Sequence, residues 1–431
     1  MYNNKCDNDV QNNIFETKLQ KEDIYNKLNS ITTKQLMDQG QLKWNLYPDC
    51  IGAWVAETDY GTSPTVEQTL IHAIKNNLLG YAPNGLIENL KTACAQFQKN
   101  AFGWDIKKEN IFPLPDVLTC LHIMLDNFIP ANSKVVVLTP AYMPFLRIPQ
   151  EHGHEIIEIQ ALIENEKYVI DYSALEDAFK KGAKLLILCN PWNPIGRVLR
   201  KEELEKISKI ISKYNALVFS DEIHSPLVID PNIKLINYAS LNEETRKHTI
   251  TATAASKGWN IAGLKSAQAI ITNKDLAEKF NVIAEKYIKN MPPIGMMATI
   301  SAYTDTSNWI DIIKEYINDN AQFLQEKLNK IQGAHFIKNE GTYLAWIKLP
   351  SINKLKYANY LSKVNTNLDL QELQNSENIA EVLRKTVKIA VITGRACGTG
   401  YDDYIRFNLA MPRPVLQECI EKLEEFINLT M

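Results

Sequence analysis

Residues Lys184 to Gly196 read KLLILCNPWNPIG, a short apolar run that ends in two X-Pro steps and a glycine. A continuous apolar stretch this short, bounded by prolines, reads as a strand buried on both faces and closed by a rigid turn. Working outward, the same kind of run recurs at Lys134–Thr139, Glu155–Ile159, Ala216–Ser220, Thr249–Ala254 and Ser266–Thr272. Amphipathic segments separate these runs. Leu175, Ala178 and Phe179 make one apolar stripe, opened by a capping pair Ser173/Glu176 and closed by Gly182. Leu204, Ile207 and Ile211 make another within Glu202–Tyr214. Upstream, Ser63-Pro64 opens a helix carrying Val66, Leu70, Ala73 and Ile74, with Gly80 as its expected end. This alternation predicts an α/β domain with a largely parallel sheet. The last third changes character, with a long helix over Trp309–Ile331, a strand over Tyr343–Leu349 and a closing helix over Gln417–Leu429, which predicts a smaller α+β domain. The expected division is a polar arm over 1–34, a small domain from 35–60 and 306–431, and a large domain over 61–305.

The chain has 431 residues, 47 Lys+Arg against 50 Asp+Glu, and a formal net charge of −3, so no strong field would draw it to nucleic acid or an anionic membrane. Small-molecule or protein partners are expected. No apolar run approaches the ~20 residues that span a bilayer, and Met1–Val10 is polar where a signal peptide needs an apolar stretch. A cytoplasmic protein is the expectation. The 7 cysteines (Cys6, Cys50, Cys94, Cys120, Cys189, Cys397 and Cys419) are scattered and never in a C-x-x-C pair, which fits reduced thiols rather than disulfides or zinc ligands.

Several strand ends carry chemistry. Thr253-Ala254-Ala255-Ser256-Lys257 runs a strand into a lysine, and partial desolvation there would lower its pKa and let it form a Schiff base with an aldehyde. Read alone, a lysine there is far more often a solvated loop residue. Ser220-Asp221-Glu222-Ile223-His224 also stands at a strand's carboxyl end, where open α/β sheets place their ligand crevice. A buried Asp221 needs a cationic partner, such as a protonated pyridine nitrogen. A helix cap with a core histidine is an equally good reading of the same residues taken alone. Asn193 is aimed by the two prolines, and Thr139-Pro140-Ala141-Tyr142 brings an aromatic to the crevice mouth.

These residues in this order resemble the fold type I pyridoxal-phosphate enzymes of the class I/II aminotransferase family. With Trp54-Val55-Ala56, Gly80-Tyr81, Tyr142-Met143-Pro144-Phe145 and Asn260-Ile261-Ala262-Gly263-Leu264, the sequence is most similar to the MalY/PatB-type cystathionine β-lyases, over roughly residues 40 to 425. The resemblance implies an aminotransferase-like fold with a mostly parallel seven-stranded sheet. It implies pyridoxal 5′-phosphate as cofactor, with Lys257 as its covalent anchor and as the base that takes the substrate's Cα proton. Asp221 would pair with the pyridine nitrogen, Asn193 and His224 would bond the phenolic oxygen, and Tyr142 would stack on the ring. The phosphate would sit on the N–H groups of Val117 and Leu118, with Ser256 and Lys265 adding bonds. Tyr81 would reach the phosphate from a neighbouring subunit, which makes the active unit a homodimer. Arg406 would hold the substrate carboxylate, flanked by Asn193 and Tyr142. No metal is called for.

The sequence departs from the family at three places. Cys397 replaces an aromatic near the substrate mouth, Asp116 replaces a glycine in the phosphate turn, and Pro350–Thr386 is longer and more polar, an expected surface insertion. His152-Gly153-His154 lacks companions at metal-like spacing and reads as a turn, and Gly394–Gly400 lacks the spacing of a nucleotide loop. The implied activity is carbon–sulfur β-elimination on cystathionine or a related S-substituted cysteine. An aminotransferase on the same scaffold is the alternative, and a binding module without turnover is a third reading.

Overall fold

The computed structural model describes residues 18–363 and 378–430. Cys6, the arm to residue 17, and residues 364–377 of the expected insertion lie outside that range. Seven strands form one sheet: β1 (Ile111–Leu114), β2 (Lys134–Thr139), β3 (Glu155–Gln160), β4 (Ala183–Cys189), β5 (Leu217–Asp221), β6 (Thr249–Thr253) and β7 (Ala267–Ile270). Their spatial order is β1-β7-β6-β5-β4-β2-β3. Strand β7 runs antiparallel to both neighbours, and the pairings from β3 across to β6 are all parallel. Sequence reading placed six of these strands, all but β1, to within about two residues, because the central parallel strands are buried on both faces and so are dominated by apolar residues.

Two layers of helix cover the sheet. Side chains alternate along each strand, so Val135, Val137, Leu185 and Ile187 face one layer with Phe145 and Phe280. Val136, Leu138, Leu186 and Leu188 face the other, with Phe179 and Leu204. The helices used below are α1 (Pro64–Lys75), α2 (Val117–Asn127), α3 (Tyr172–Lys180) and α4 (Lys201–Lys213), with α5 (Trp309–Leu328) and α6 (Arg413–Thr430) in the last third. There, strands β8 (His335–Phe336), β9 (Leu344–Lys348), β10 (Ile392–Thr393) and β11 (Tyr404–Asn408) form an antiparallel sheet in the order β8-β9-β11-β10. Its apolar face packs with α5 and α6 through Ala345, Ile347, Phe407, Leu324 and Phe426.

Some local expectations differ from what forms. Helix α3 is capped by Asp171, whose carboxylate accepts the Ala174 N–H at 2.9 Å, so the Ser173/Glu176 box gives way to a cap two residues earlier. Helix α1 stops at Lys75, short of Gly80: Asn77 takes the left-handed conformation (φ 58°) and the Leu78 N–H closes on the Ala73 carbonyl at 2.9 Å. Asparagine tolerates that conformation well enough to end a helix without glycine. The described end of the arm is a helix tied to the rest of the chain. Leu19 N–H bonds the Ser307 carbonyl at 3.2 Å, and the helix Lys21–Asn29 lies against α5 through Tyr25 Oη to Asp319 at 2.8 Å and Tyr316 Oη to Asn29 at 2.6 Å.

The described part of the expected insertion is likewise packed. Ile379, Ala380, Val382 and Leu383 of the helix Ile379–Thr386 are buried in the α5/α6 core, and Tyr357 meets Phe426 edge-on at 6.2 Å. Among the described residues no helix is long and apolar enough to cross a membrane.

The Asp171 cap gives a direct stability test. Asp171→Ala is expected to lower the unfolding free energy by about 1 kcal/mol, read as a lower urea midpoint at unchanged slope. Ser173→Ala should leave the midpoint in place.

Candidate active site

The chain order of the strands reverses between β2 and β4, and the carboxyl ends on either side of that reversal open a crevice. After β4, the turn 190–199 is locked three ways. Asn190 Oδ1 accepts the Leu199 N–H at 3.0 Å, Gly196 N–H bonds the Trp192 carbonyl at 2.7 Å, and Trp192 Nε1 reaches the Pro140 carbonyl beyond β2 at 2.8 Å. Asn193, inside this turn, is buried with its Oδ1 lacking any hydrogen-bond partner.

Asp221 ends β5 and is 3 % exposed. Its carboxylate accepts the Ile223 N–H at 3.1 Å, its one recorded partner, and burial pushes its pKa up to about 7. His224 is 2 % exposed with Nδ1 unpartnered. Burial, with Lys257 and Arg406 nearby, pushes its pKa down to about 3, so the imidazole is neutral.

Lys257 follows β6, and its Nζ donates to the Ala56 carbonyl at 2.8 Å, an oxygen that Tyr343 Oη also reaches at 2.8 Å. Burial and then the Arg406 charge lower the Lys257 pKa to about 8. The turn after it is tied to the same chain segment, since Asn260 bonds both the Thr58 N–H (3.0 Å) and the Thr58 carbonyl (3.1 Å).

Arg406 reaches the crevice from the other sheet. It lies on β11 opposite Trp346 of β9, is 3 % exposed, and donates from Nη2 to the Trp54 carbonyl at 2.9 Å. Its Nε and Nη1 have no acceptor. Two residues on, along the same strand face, Asn408 Nδ2 donates to the Val55 and Glu57 carbonyls at 2.6 and 2.7 Å. The segment 54–57 is thus pinned by β11 while its Ala56 carbonyl holds the lysine. Tyr142, partly buried at the start of the helix Met143–Glu151, completes the wall; burial raises its pKa and the Arg406 charge opposes that rise. Cys397 is fully buried near the same arginine.

At the crevice floor, α2 begins at Val117 and turns its first N–H groups outward. Asp116 caps it by accepting the Thr119 N–H and hydroxyl, both at 2.9 Å, and pairs with Lys265 Nζ at 3.2 Å. Ser256 lies partly buried one residue before the lysine. Lys257, Asp221, His224, Tyr142 and Arg406 lie close enough to bias one another's charge, with Asn193 on the adjoining turn. Tyr81 stands apart, its side chain fully in solvent.

Sequence reasoning missed the Ala56 carbonyl and Asn408. The Arg-x-Asn alternation on a strand was the available signal for Asn408; nothing in a sequence marks a single carbonyl. The two histidines of His152-Gly153-His154 diverge. His152 contacts Asp126 (2.5 Å) and His122 (2.7 Å), and His154 lies 3.3 Å from the Ser133 and Leu125 carbonyls. The described residues hold no cluster suited to a metal.

The chemistry of these groups fits pyridoxal phosphate. A buried carboxylate without a cation suits a protonated ring nitrogen, and a neutral imidazole and an amide suit a phenolic oxygen. A helix start beside a lysine suits a phosphate, and a weakly basic amine suits an aldehyde. Arg406 is left for a further anion.

The family model for aminotransferase class I and II matches residues 48–423. The chain is 29% identical over 391 residues to the cystathionine beta-lyase of Corynebacterium glutamicum, covering 90% of this chain and 97% of that one. A solved structure from Corynebacterium diphtheriae, titled as a candidate PLP-dependent beta-cystathionase, superposes with TM-score 0.81 at 32% identity, over 92% of this chain and 98% of that one. Cystalysin from Treponema denticola, solved with pyridoxal 5′-phosphate, gives TM-score 0.79 at 27% identity, over 96% and 99%.

The lysine's environment predicts its reactivity. In cofactor-free protein, acylation of Lys257, followed by peptide mass mapping, should rise with pH through a midpoint near 8, because only the neutral amine reacts. Arg406→Met should move that midpoint upward by removing a nearby cation. A midpoint near the ordinary 10.5 would contradict the site's geometry.

Proposed function

The chain belongs to the aminotransferase class I and II family, and from that premise we propose that it is a carbon–sulfur β-lyase. It uses pyridoxal 5′-phosphate to convert cystathionine or a related S-substituted cysteine, with water, to a thiol, pyruvate and ammonia. The observation that carries the reading is a weakly basic lysine and a buried arginine with two nitrogens free of any acceptor in one crevice. Similarity to a named cystathionine beta-lyase over nine-tenths of the chain points to the bond that is cut.

When bound, the cofactor supplies an electron sink conjugated to the substrate's Cα. Arg406, its Nη2 already anchored on the Trp54 carbonyl, takes the substrate carboxylate and fixes which Cα bond faces Lys257. Lys257, neutral above about pH 8 and neighbouring the Arg406 cation, removes the proton at Cα. Asp221 would hold a proton on the ring nitrogen, since a buried carboxylate beside that cation stays ionised. Asn193 and neutral His224 would bond the phenolic oxygen, Tyr142 would cover the ring, and Val117, Leu118, Ser256 and Lys265 would hold the phosphate. Loss of the Cα proton expels the thiolate from Cβ. The released enamine takes up water, giving pyruvate and ammonia.

The active unit in this reading is a homodimer, supported by the exposed apolar run Ile74, Leu78, Leu79 and Tyr81, with Tyr81 reaching the partner's phosphate. Free, buried cysteines at 50, 94, 120, 189, 397 and 419 fit a reducing, cytoplasmic setting.

Holoenzyme given L-cystathionine should release thiol and pyruvate in equal amounts, and Lys257→Ala should release neither. Glutamate formed from 2-oxoglutarate without thiol would instead identify an aminotransferase. Arg406→Ala should lower kcat/KM about a hundredfold, mostly through KM. For the shared site, inactive Tyr81→Ala and Lys257→Ala proteins should regain activity on mixing, because one site of the hybrid dimer is then intact. No recovery would place each site within one chain.

A further inference from the structure

Residues Asn339–Thr342, just before β9, are wedged between two turns of the large sheet's crevice. On one side Glu340 and Gly341 donate their N–H groups to the Gly196 carbonyl at 2.9 and 2.8 Å. On the other, the Glu340 carbonyl accepts Ile229 and Asp230 N–H at 3.0 and 3.1 Å, and Thr342 N–H bonds the Leu227 carbonyl at 2.8 Å. The fit is close. A Cβ on Gly196 would lie 2.2 Å from the Asn339 Cβ, and one on Gly341 would lie 2.9 Å from the Pro191 side chain.

Glu340 spends its whole carboxylate on the first turn. Oε2 accepts Arg197 Nη1 at 2.9 Å, the Val198 N–H at 2.8 Å and Arg200 Nη1 at 3.2 Å, and Oε1 accepts Arg200 Nη2 at 2.7 Å. Arg197 is held in turn by both oxygens of Glu203, at 3.1 and 3.0 Å. These groups are mostly buried, so their hydrogen bonds are geometrically binding in a way surface pairs are not.

The wedge's backbone joins the turn bearing Asn193 to the segment 227–230 that follows His224, and the Glu340 carboxylate secures the wedge to the first of these. The orphaned atoms, Asn193 Oδ1 and His224 Nδ1, lie in different loops, and the wedge links both loops directly. The chain continues straight into Tyr343, which shares the Ala56 carbonyl with Lys257. We propose that Glu340 is a positioning residue that fixes Asn193 and His224 relative to each other, and through them sets how strongly the cofactor's phenolic oxygen is held in its ionised form. The proposal rests on the lyase reading only in taking pyridoxal phosphate as the ligand of this crevice.

Hydrogen bonds to the ionised phenolic oxygen lower the pH at which the loaded chromophore loses its proton, and loosening them raises it. Glu340→Gln holoenzyme, titrated by visible absorbance, should therefore show its chromophore pKa raised by about half a unit or more. Its kcat should fall about tenfold with KM little changed. Arg200→Met, which removes only one side of the clamp, should shift the pKa in the same direction by less, and it serves where Glu340→Gln folds poorly. Leu204→Ala, which weakens the neighbouring core, should lower the unfolding temperature and leave the chromophore pKa alone. A chromophore pKa unchanged in both clamp variants, whatever their stability, overturns the proposal. Failure of wild-type protein to release thiol would instead count against the lyase reading and leave this titration valid.

Discussion

A guanidinium with one carbonyl for company is the constraint on which the rest of this structure turns. Arg406 is buried to 3 % exposure, and two of its three nitrogens meet no acceptor. An uncompensated buried charge costs several kcal/mol, so the surroundings must hold it in place and a ligand must complete it. Strand β11 supplies the hold, pairing with β9 on one side and β10 on the other. Asn408 on the same strand clamps the segment whose Trp54 and Ala56 carbonyls receive the arginine and the lysine. The smaller sheet thereby delivers both a guanidinium with two unpartnered nitrogens and a resting place for Lys257 to the ends of the larger one.

A second buried cation shows what charge looks like when its role is structural. Lys43 is fully buried, but its Nζ meets Asp59 Oδ2 at 2.8 Å and the Ala410 carbonyl at 3.1 Å, while Trp44 Nε1 takes the other Asp59 oxygen at 2.8 Å. That pair is closed within the chain. Arg406, Asp221, Asn193 and His224 are open in the same interior, and their unmet valences converge on one crevice. The contrast separates charges that hold the fold from charges that wait for a ligand.

Much of this was legible in the sequence, for physical reasons. Strands such as Lys134–Thr139 and Ala183–Cys189 are apolar over their middle residues because both faces are covered there, and the residues just past their ends carry the chemistry because parallel sheets open there. What stayed hidden depends on partners distant in sequence or on backbone atoms. The Ala56 carbonyl, the wedge at 339–342 and the docking of Lys21–Asn29 on α5 each join segments far apart in the chain. The polar face of the helix Ile379–Thr386 masked an apolar one that packs into the core. Caps were misplaced at Ser173 and Gly80 because Asp171 and Asn77 do the same work with different chemistry.

The account's central claim is that these open charges are completed by the cofactor and then by a carboxylate. The unfolding midpoint measures it directly, taken for cofactor-free protein, for protein loaded with pyridoxal phosphate, and for loaded protein with an unreactive carboxylic acid such as propionate. Two successive rises are predicted, the second absent when Arg406 is replaced by alanine. A single rise, or a second rise that survives without the arginine, would contradict it.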